Sequence, residues 1–306
     1  MSKQQREKID AIFRQPRPEG PPSSVEALRA GFATLMSTMI VPSGIRTSTT
    51  TLGDRQALVV EPEQGVRPGT ILYFHGGGWV FGSPRTALSL TAQLVVKTGF
   101  RAFSVDYRLA PEHPFPAGIG DTLSAYRALV DDGVDPATVV FAGDSAGGGL
   151  TVTTCLAARD AGLPLPAAIV AFSPGLDATR TGESIDTKAG IDPIFTRASM
   201  EHTAVMYLAG QDPRQPLLSP AVMADLTGFP PMLLQAGTNE LLLDDSTRLA
   251  ARATAAGVDV ILDITADVPH VFQSFAGGPL DEADQALDRA ALFINQHLRT
   301  PDEAPS

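Results

Sequence analysis

The feature that most constrains the fold is a series of seven short apolar runs separated by helical segments. The runs are rich in aliphatic and β-branched residues: QALVVEP, TILYFHG, FRAFSVDY, TVVFAGDS, AAIVAFSP, PMLLQAG and VDVILDIT. Runs with so few polar residues are typical of strands that are covered on both faces. Helical periodicity is present between them, for example over about 117–130 and 245–256. This alternation predicts an α/β fold with a mostly parallel central sheet flanked by helices.

Two segments depart from the alternation. Residues 1–45 contain two amphipathic helical patterns, separated by a break at Pro16, Pro18, Pro21 and Pro22. Residues of about 178–215 lie between the fifth and sixth apolar runs. This interval contains far more residues than one crossover connection between parallel strands needs. Thr196 is a candidate N-cap of a helix in this second segment. We expect N-terminal cap helices over 1–45 and a cap insertion at about 178–215, both added to a main domain over 46–306.

Composition argues against several classes of protein. The formal net charge of -11 disfavours a nucleic-acid partner, because an acidic surface repels phosphate backbones. The first ten residues lack the apolar stretch of a signal peptide, and no window approaches the roughly 18 apolar residues of a membrane helix. We therefore expect a cytoplasmic protein without a membrane span. Cys155 is the single cysteine of the sequence, and its apolar neighbours indicate a small buried core residue.

The strongest chemical signal is GDSAGG, residues 143–148, which follows the run TVVFA and precedes a helical segment. A G-x-S-x-G sequence in that context forms a sharp strand-to-helix turn that exposes the serine hydroxyl. Its glycines omit Cβ atoms where backbone segments come close, and the helix N terminus offers free N–H groups to an oxyanion. The pattern alone is weak in a chain with 28 glycines, but its position predicts Ser145 as a nucleophile.

A second glycine-rich turn, HGGGW at residues 75–79, ends the run TILYF. Three successive glycines allow backbone N–H groups to point into a cleft that no side chain obstructs. Turns of this kind can also bind phosphate, but this one lacks a P-loop lysine and G-x-G-x-x-G spacing. Nucleotide binding is therefore disfavoured. We expect His75 to shape the loop, because no other histidine or carboxylate lies nearby at metal-ligand spacing.

With these two motifs, the chain resembles the hormone-sensitive-lipase-like esterases of bacterial family IV. Four sequences carry the resemblance, in that family's order and approximate spacing: HGGGW, DYRLAPEHPFPA at 106–117, GDSAGG and VPHVF at 268–272. The resemblance covers the chain from about Thr70 to the C terminus, and the N-terminal helices also resemble that family's cap. It implies an α/β-hydrolase fold whose catalytic domain is the segment 46–306.

The same resemblance implies further features of the site. It places oxyanion donors at the backbone N–H groups of Gly77, Gly78 and Ala146. It implies a small-molecule ester as substrate, and it allows a homodimer.

The general base has to be chosen from five histidines: His75, His113, His202, His270 and His297. In this fold the triad follows the chain order serine, acid, histidine, so the base must lie well after Ser145. His202 falls in the inserted segment and His297 in the C-terminal helical pattern. His270 follows the last apolar run, where the fold presents its base, and it is therefore the predicted base.

The triad acid is expected just after the run PMLLQAG, where GTNELLLDD offers Glu240, Asp244 and Asp245. The family usually has D-P-L-x-D there, and its first acid is the triad member. In that register Glu240 takes the catalytic position and Leu241 replaces the proline. We predict Glu240 as the acid, with Asp244 as the alternative. Asp245 is interpreted as the N-cap of the following helix.

These residues predict a serine carboxylesterase that works through an acyl-enzyme and needs no metal or organic cofactor. The resemblance implies short- to medium-chain carboxylic esters and also allows lactones. An amidase, N-deacylase or carbamate hydrolase would use the same triad, so that alternative stays open. A non-catalytic ligand-binding receptor is disfavoured, because Ser145 and His270 are both present.

Overall fold

The computed structural model describes residues 2–15 and 24–298. Within these residues eight strands form one sheet. The strands are β1 (Ile45–Leu52), β2 (Arg55–Pro62), β3 (Thr70–Phe74), β4 (Arg101–Val105), β5 (Val139–Asp144), β6 (Ala168–Phe172), β7 (Met232–Gly237) and β8 (Val260–Thr265). Their spatial order is β1-β2-β4-β3-β5-β6-β7-β8. β2 runs antiparallel to both β1 and β4, and the other pairings are parallel, so seven of the eight described strands share one direction and β2 opposes them.

Ten α-helices accompany the sheet in the described residues. They are α1 (Ser2–Phe13), α2 (Val25–Met36), α3 (Leu88–Thr98), α4 (Ala117–Asp131), α5 (Ala146–Asp160), α6 (Ser184–Thr187), α7 (Arg197–Leu208), α8 (Pro220–Met223), α9 (Leu243–Ala255) and α10 (Asp281–His297). Short 3₁₀ turns lie at Pro136–Thr138 and Phe272–Phe275.

The sheet separates two apolar cores. Along β3, Ile71 and Tyr73 point to the core that α3 and α10 cover, whereas Leu72 and Phe74 point to the core beneath α4, α5 and α9. Successive strand residues alternate between faces, so a strand in the middle of the sheet is apolar at nearly every position. That explains the continuous apolar runs in the sequence.

The predicted α/β architecture is confirmed: one mostly parallel sheet is flanked by helices. All seven apolar runs contain a strand, β2 to β8. Sequence reasoning did not identify β1, because its sequence IRTSTTTL is polar and mostly exposed at the sheet edge. Thr196 is the N-cap of α7 as predicted, and Cys155 is buried.

The two predicted cap segments contact different parts of the molecule. In 1–45, α1 packs against α10 and buries Ile9, whereas α2 lies over the loop after β3, where the rings of Phe32 and Phe81 are 4.8 Å apart. The inserted segment of about 178–215 contributes α6 and α7. The predicted break at Pro16, Pro18, Pro21 and Pro22 lies outside the described residues.

None of the helices within 2–15 and 24–298 has both the length and the apolar character needed to cross a bilayer.

Candidate active site

Ser145 lies at the turn between β5 and α5. Its backbone adopts φ 53° and ψ -118°, a combination rare outside glycine that costs roughly 1–3 kcal/mol. The Ser145 N–H donates to the Phe172 carbonyl (2.8 Å), and its own carbonyl accepts from Gly175 N–H (3.0 Å). A Cβ on Gly147 would lie 1.9 Å from the Phe74 carbonyl oxygen, so the turn requires glycine there. Close packing thus holds the serine in its unusual conformation.

His270 comes from the loop after β8 and is buried beside the serine. Its Nε2 lies 2.8 Å from Ser145 Oγ, and its Nδ1 lies 2.9 Å from Glu240 Oε2. A neutral imidazole has one donor and one acceptor nitrogen. In this arrangement Nδ1–H donates to the carboxylate, and Nε2 accepts from the serine hydroxyl. The three side chains therefore form a continuous hydrogen-bonded series.

Glu240 is fully buried in the loop that follows β7. Its Oε1 accepts hydrogen bonds from Ser173 Oγ (2.8 Å) and from the Gly237 N–H. Ser173 Oγ in turn accepts from the N–H of Val271, the residue after the histidine, at 3.0 Å. A buried carboxylate is costly unless it is hydrogen-bonded. These donors satisfy the oxygen that does not face the imidazole.

Asp244 lies elsewhere. Its Oδ2 accepts from the Ser184 N–H at 2.8 Å, and its own N–H donates to Ser184 Oγ at 3.1 Å. The structure thus brings Glu240, and not Asp244, into contact with His270.

The interpretation of Asp245 as an N-cap is wrong. α9 begins at Leu243, so Asp245 lies inside the first turn, and the N-cap position belongs to Leu242. The Asp245 side chain is buried and its Oδ2 accepts from the N–H groups of Leu176 (2.6 Å) and Asp177 (2.9 Å). It therefore ties α9 to the loop after β6. Burial raises the pKa of the Asp245 carboxyl to about 7.

The loop after β3 carries the predicted oxyanion donors Gly77 and Gly78, whose φ angles are 126° and 58°. A Cβ on Gly77 would lie 2.0 Å from the Phe81 carbonyl oxygen. Ala146 is the first residue of α5, where an N–H has no acceptor within its own helix. Among the described residues, no protein acceptor is bound to the N–H of Gly77, Gly78 or Ala146. The three groups are free to bind an oxyanion.

His75 is fully buried at the start of this loop. Its ring stacks on Tyr107 with 4.2 Å between centroids, and Nδ1 lies 2.8 Å from the Gly76 carbonyl oxygen. Burial lowers the pKa of His75 to about 4, so the ring is neutral near pH 7. Its position is that of a loop-packing residue, the role expected from the sequence. His113 and His202 are exposed, and His297 bonds the Phe293 carbonyl on α10.

Asp144 joins the serine turn to the glycine loop. Its Oδ1 accepts from Tyr73 Oη (2.7 Å) and from the Gly76 N–H (3.1 Å). Burial raises the pKa of the Asp144 carboxyl. The side chain before the serine therefore fixes the loop that holds the free N–H groups.

A small cavity of about 10 Å³, room for roughly one water molecule, lies beside these loops. Its lining residues come from α2, α3, the loop after β3, the end of β5 and the turn Phe272–Phe275: Phe32, Met36, Gly76, Thr86, Ala87, Leu90, Asp144 and Ser274. Gly76 and Asp144 are chain neighbours of Gly77 and Ser145, but Ser145 and His270 are not among the lining residues. The wall of the cavity is largely apolar.

Sequence reasoning missed Ser173, which holds both Glu240 and the residue after His270. Ser173 directly follows β6 and has a φ of 45°. A single serine after a strand carries no recognisable pattern, so only the fold reveals the contact.

The part of the chain described here, 2–15 and 24–298, contains no group of three or more His, Cys, Asp or Glu that could hold a metal ion.

Comparison with known proteins extends the resemblance from motifs to the whole chain. A protein-family model described as alpha/beta hydrolase fold matches residues 71–274. An acetyl-hydrolase of Streptomyces hygroscopicus is 41% identical over 225 residues, which are 74% of this chain and 75% of that protein.

Two solved structures are similar over nearly the full length. One is an esterase from the bacterial hormone-sensitive lipase family, with a TM-score of 0.92 and 39% identity over 97% of this chain and 99% of that chain. The other is EstE5 soaked with p-nitrophenyl butyrate, with a TM-score of 0.90 and 37% identity over 96% and 98% of the two chains. At this identity the likeness concerns family as well as fold.

Proposed function

Because the chain belongs to the hormone-sensitive-lipase-like family of α/β-hydrolase-fold esterases, we propose that it hydrolyses short- to medium-chain carboxylic esters through Ser145, His270 and Glu240. One observation carries the proposal: a hydrogen-bonded series runs from the hydroxyl of a strained serine, through an imidazole, to a buried carboxylate. That series has the parts that acyl transfer requires.

In the first half-reaction, Ser145 Oγ attacks the ester carbonyl carbon while His270 Nε2 takes the hydroxyl proton. Glu240 holds Nδ1–H, so Nε2 is the nitrogen free to act as base. The carboxylate also stabilises the imidazolium that forms. His270 then gives its proton to the leaving alcohol as the tetrahedral intermediate collapses to the acyl-enzyme.

In the second half-reaction, His270 takes a proton from water as the water oxygen attacks the acyl carbon. His270 then returns that proton to Ser145 Oγ as the acyl–serine bond breaks and the acid leaves. Both tetrahedral intermediates carry a negative oxygen. The free N–H groups of Gly77, Gly78 and Ala146 are the proposed donors to that oxygen. Loss of one such donor typically costs about 10²–10³ in kcat.

The proposed cap segments, 1–45 and about 178–215, support a preference for apolar substituents. Phe32 of α2 packs on Phe81 of the glycine loop, and Tyr207 of α7 stacks on Trp79 of the same loop with 4.5 Å between ring centroids. Apolar side chains beside the proposed oxyanion donors favour an aliphatic acyl or alcohol chain, because its burial against them is stabilising. EstE5, a similar esterase, was soaked with p-nitrophenyl butyrate, which fits the proposed substrate class. Lactone hydrolysis belongs to the same proposal.

Replacement of the nucleophile tests the proposal. Ser145→Ala is expected to abolish hydrolysis of 4-nitrophenyl butyrate and to keep the melting temperature. Turnover above a few per cent of wild type in a folded variant would remove Ser145 from the mechanism. An acyl-chain-length series run beside a lactone panel then measures the substrate range.

The same triad could act on amides, N-acyl groups or carbamates. Hydrolysis of a 4-nitrophenyl ester is expected to exceed that of the matching anilide. A faster anilide reaction would assign the chain to the amidase alternative.

A homodimer is a further part of the proposal, and the free edge of the sheet supports it. β8 is an edge strand that exposes Ile261, Leu262 and Ile264 by 51%, 36% and 41%. An exposed apolar strand edge favours pairing with another chain. We expect a second copy to pair there about a two-fold axis. The cytoplasmic location and the lack of a nucleic-acid partner stay predictions from the sequence.

A further inference from the structure

The residue after Glu240 is bonded on both sides of its backbone by the inserted segment. The Leu241 N–H donates to Asp192 Oδ2 at 2.8 Å, and the Leu241 carbonyl accepts from Ser184 Oγ at 2.6 Å. Both partners lie within the segment of about 178–215. The loop that carries the carboxylate is therefore held by the insertion and not by the α/β domain alone.

Asp192 also shapes the chain that covers the imidazole. Its Oδ1 accepts from the N–H groups of Ile194 (2.8 Å) and Phe195 (2.9 Å). The Phe195 ring packs edge-on against His270, with 4.7 Å between centroids and an interplanar angle of 61°. The Asp192 side chain is only about 6% exposed. One buried carboxylate thus contacts the peptide beside Glu240 and the turn that places a ring on His270.

The Leu241 bond is possible because this chain departs from the usual family sequence. Proline, the usual residue after the first acid, has no backbone N–H and could not donate to Asp192. Leu241 supplies that donor. Its side chain is also fully buried, in a small cluster with Ile185 and Met200 of the insertion.

The N-terminal helix supports the same turn. Arg14 Nη1 donates to the Gly190 carbonyl (3.2 Å), and Nη2 donates to the Ile191 carbonyl (2.7 Å). These are the two residues before Asp192. Both proposed cap segments therefore converge on this aspartate.

We infer that Asp192 is a positioning residue for the triad. It fixes the Glu240 loop through the Leu241 N–H and fixes Phe195 against His270, so that imidazole and carboxylate stay aligned. This inference rests on the proposed triad. In this inference Asp192 has no contact with substrate. It acts only by fixing the positions of His270 and Glu240.

Asp192→Asn tests the inference with little change in size. The variant keeps one oxygen, but its amide nitrogen cannot accept a hydrogen bond. Either the Leu241 N–H or the two donors at 194–195 lose their acceptor. Misplacement by about 1 Å can cost roughly 10²-fold in rate. We expect kcat for 4-nitrophenyl butyrate to fall about 10- to 100-fold, with KM nearly unchanged.

A spectroscopic measurement separates positioning from general loss of stability. The His270 Nδ1–H bonded to Glu240 should give a far-downfield proton resonance. Asp192→Asn is expected to shift or broaden it at a temperature well below the melting transition. The matched control is Asp186→Asn on α6, an exposed acid of the same segment that pairs only with Arg197 among the described residues. It should leave both kcat and the resonance as in wild type.

Leu241→Pro removes the hydrogen bond to Asp192 by deleting its donor, because proline has no backbone N–H. If Asp192 acts through the Leu241 N–H, the loss caused by Asp192→Asn should be much smaller in a Leu241→Pro background than in wild type. Coupling of this kind is what a double-mutant cycle measures. Equal losses in the two backgrounds would contradict the assigned route.

Glu240→Ala distinguishes failure of the proposed triad from failure of the inference about Asp192. If Glu240→Ala is inactive and Asp192→Asn keeps wild-type kcat and an unmoved resonance, the inference is wrong and the triad stands. A lower melting temperature with wild-type kcat likewise contradicts it. If Glu240→Ala keeps wild-type kcat, the triad is wrong and the inference falls with it.

Discussion

At the scale of single residues, the site depends on backbone conformations that only close packing maintains. Ser145 has a positive φ because its N–H and carbonyl are both bonded to the chain around β6. A Cβ at position 147 would collide with the Phe74 carbonyl oxygen, so only glycine fits there. Such strain is characteristic of a nucleophile held out from the end of a strand. The sequence predicts this turn well, because the glycine spacing and the strand before it are both local signals.

The choice of acid is the first prediction at this scale. Glu240→Ala is expected to lower kcat by about 10⁴, because His270 loses the group that fixes its tautomer. Asp244→Ala should keep most of its kcat, because Asp244 bonds Ser184 and does not contact the imidazole. Steady-state kinetics and thermal melting of both variants check this. The reverse pattern would identify Asp244 as the triad acid. It would also mean that the family's D-P-L-x-D sequence aligns with different residues of this chain.

The oxyanion loop gives a second prediction. A Cβ on Gly77 would lie 2.0 Å from the Phe81 carbonyl oxygen, so Gly77→Ala must displace the loop. We expect kcat to fall about 10²–10³, the usual cost of one lost oxyanion donor.

Gly120→Ala on α4 is the matched control, because an added Cβ there meets nothing within 4 Å. It should keep full activity and gain up to about 1 kcal/mol of stability. Equal kcat in the two variants would show that the Gly77 backbone has no part in the reaction.

At the scale of elements, the sequence predicts the strands and helices that have a periodic apolar pattern. It does not predict features that depend on contacts between residues far apart in the chain. Apolar runs locate β2 to β8, because strands buried on both faces need apolar side chains throughout. β1 is polar because it lies exposed at a sheet edge, so no periodic signal marks it. Asp245 resembles an N-cap in sequence, but its carboxylate bonds a loop 68 and 69 residues earlier in the chain. Such a partner becomes visible only in the folded chain.

The Asp245 contact predicts how stability depends on pH. Its pKa is raised by burial to about 7, whereas an aspartate in the unfolded chain has a pKa of about 4. The folded protein therefore binds more protons between these values, and its free energy of unfolding falls as pH rises from about 4 to 7. Asn can still accept both N–H bonds through its single oxygen, without a charge.

We expect Asp245→Asn to be more stable than wild type above pH 7 by about 1 kcal/mol or more, or roughly 2 °C or more in Tm. Below about pH 4 the two proteins should melt alike. Thermal melts between pH 4 and 8 measure this, and Asp160→Asn, an exposed acid on α5, is the control. A variant less stable than wild type at pH 8 would show that the charged form of Asp245 is the one the fold favours.

At the scale of the whole molecule, the proposed triad comes from three loops of one sheet. The inserted segment contacts one of those loops, and the N-terminal segment contacts the insertion. Ser145 and His270 lie on loops of the α/β domain, and the positions of those loops follow from the order of strands. The bracing through Asp192 depends on a long insertion whose path the sequence does not define. That is the physical reason why the sequence points to Ser145, His270 and Glu240 but not to Asp192.

The proposed homodimer is tested by the size of the particle in solution. Light scattering at micromolar concentration should give twice the mass of 32.1 kDa. Ile261→Lys with Ile264→Lys should yield a monomer, because two charges on the β8 edge oppose strand pairing. Val96→Lys on α3, an exposed valine away from that edge, should stay dimeric. A monomeric wild type, or a dimer unaffected by the β8 lysines, would reject this interface.

The central claim is that one serine carries the acyl group during ester hydrolysis. The most direct measurement is stoichiometric labelling with a serine-directed organophosphate, followed by peptide mass spectrometry and residual esterase assay. We predict one label per chain, on Ser145, with activity lost in proportion to labelling. Inactivation with the label on another residue, or full labelling of Ser145 with activity retained, would contradict the account.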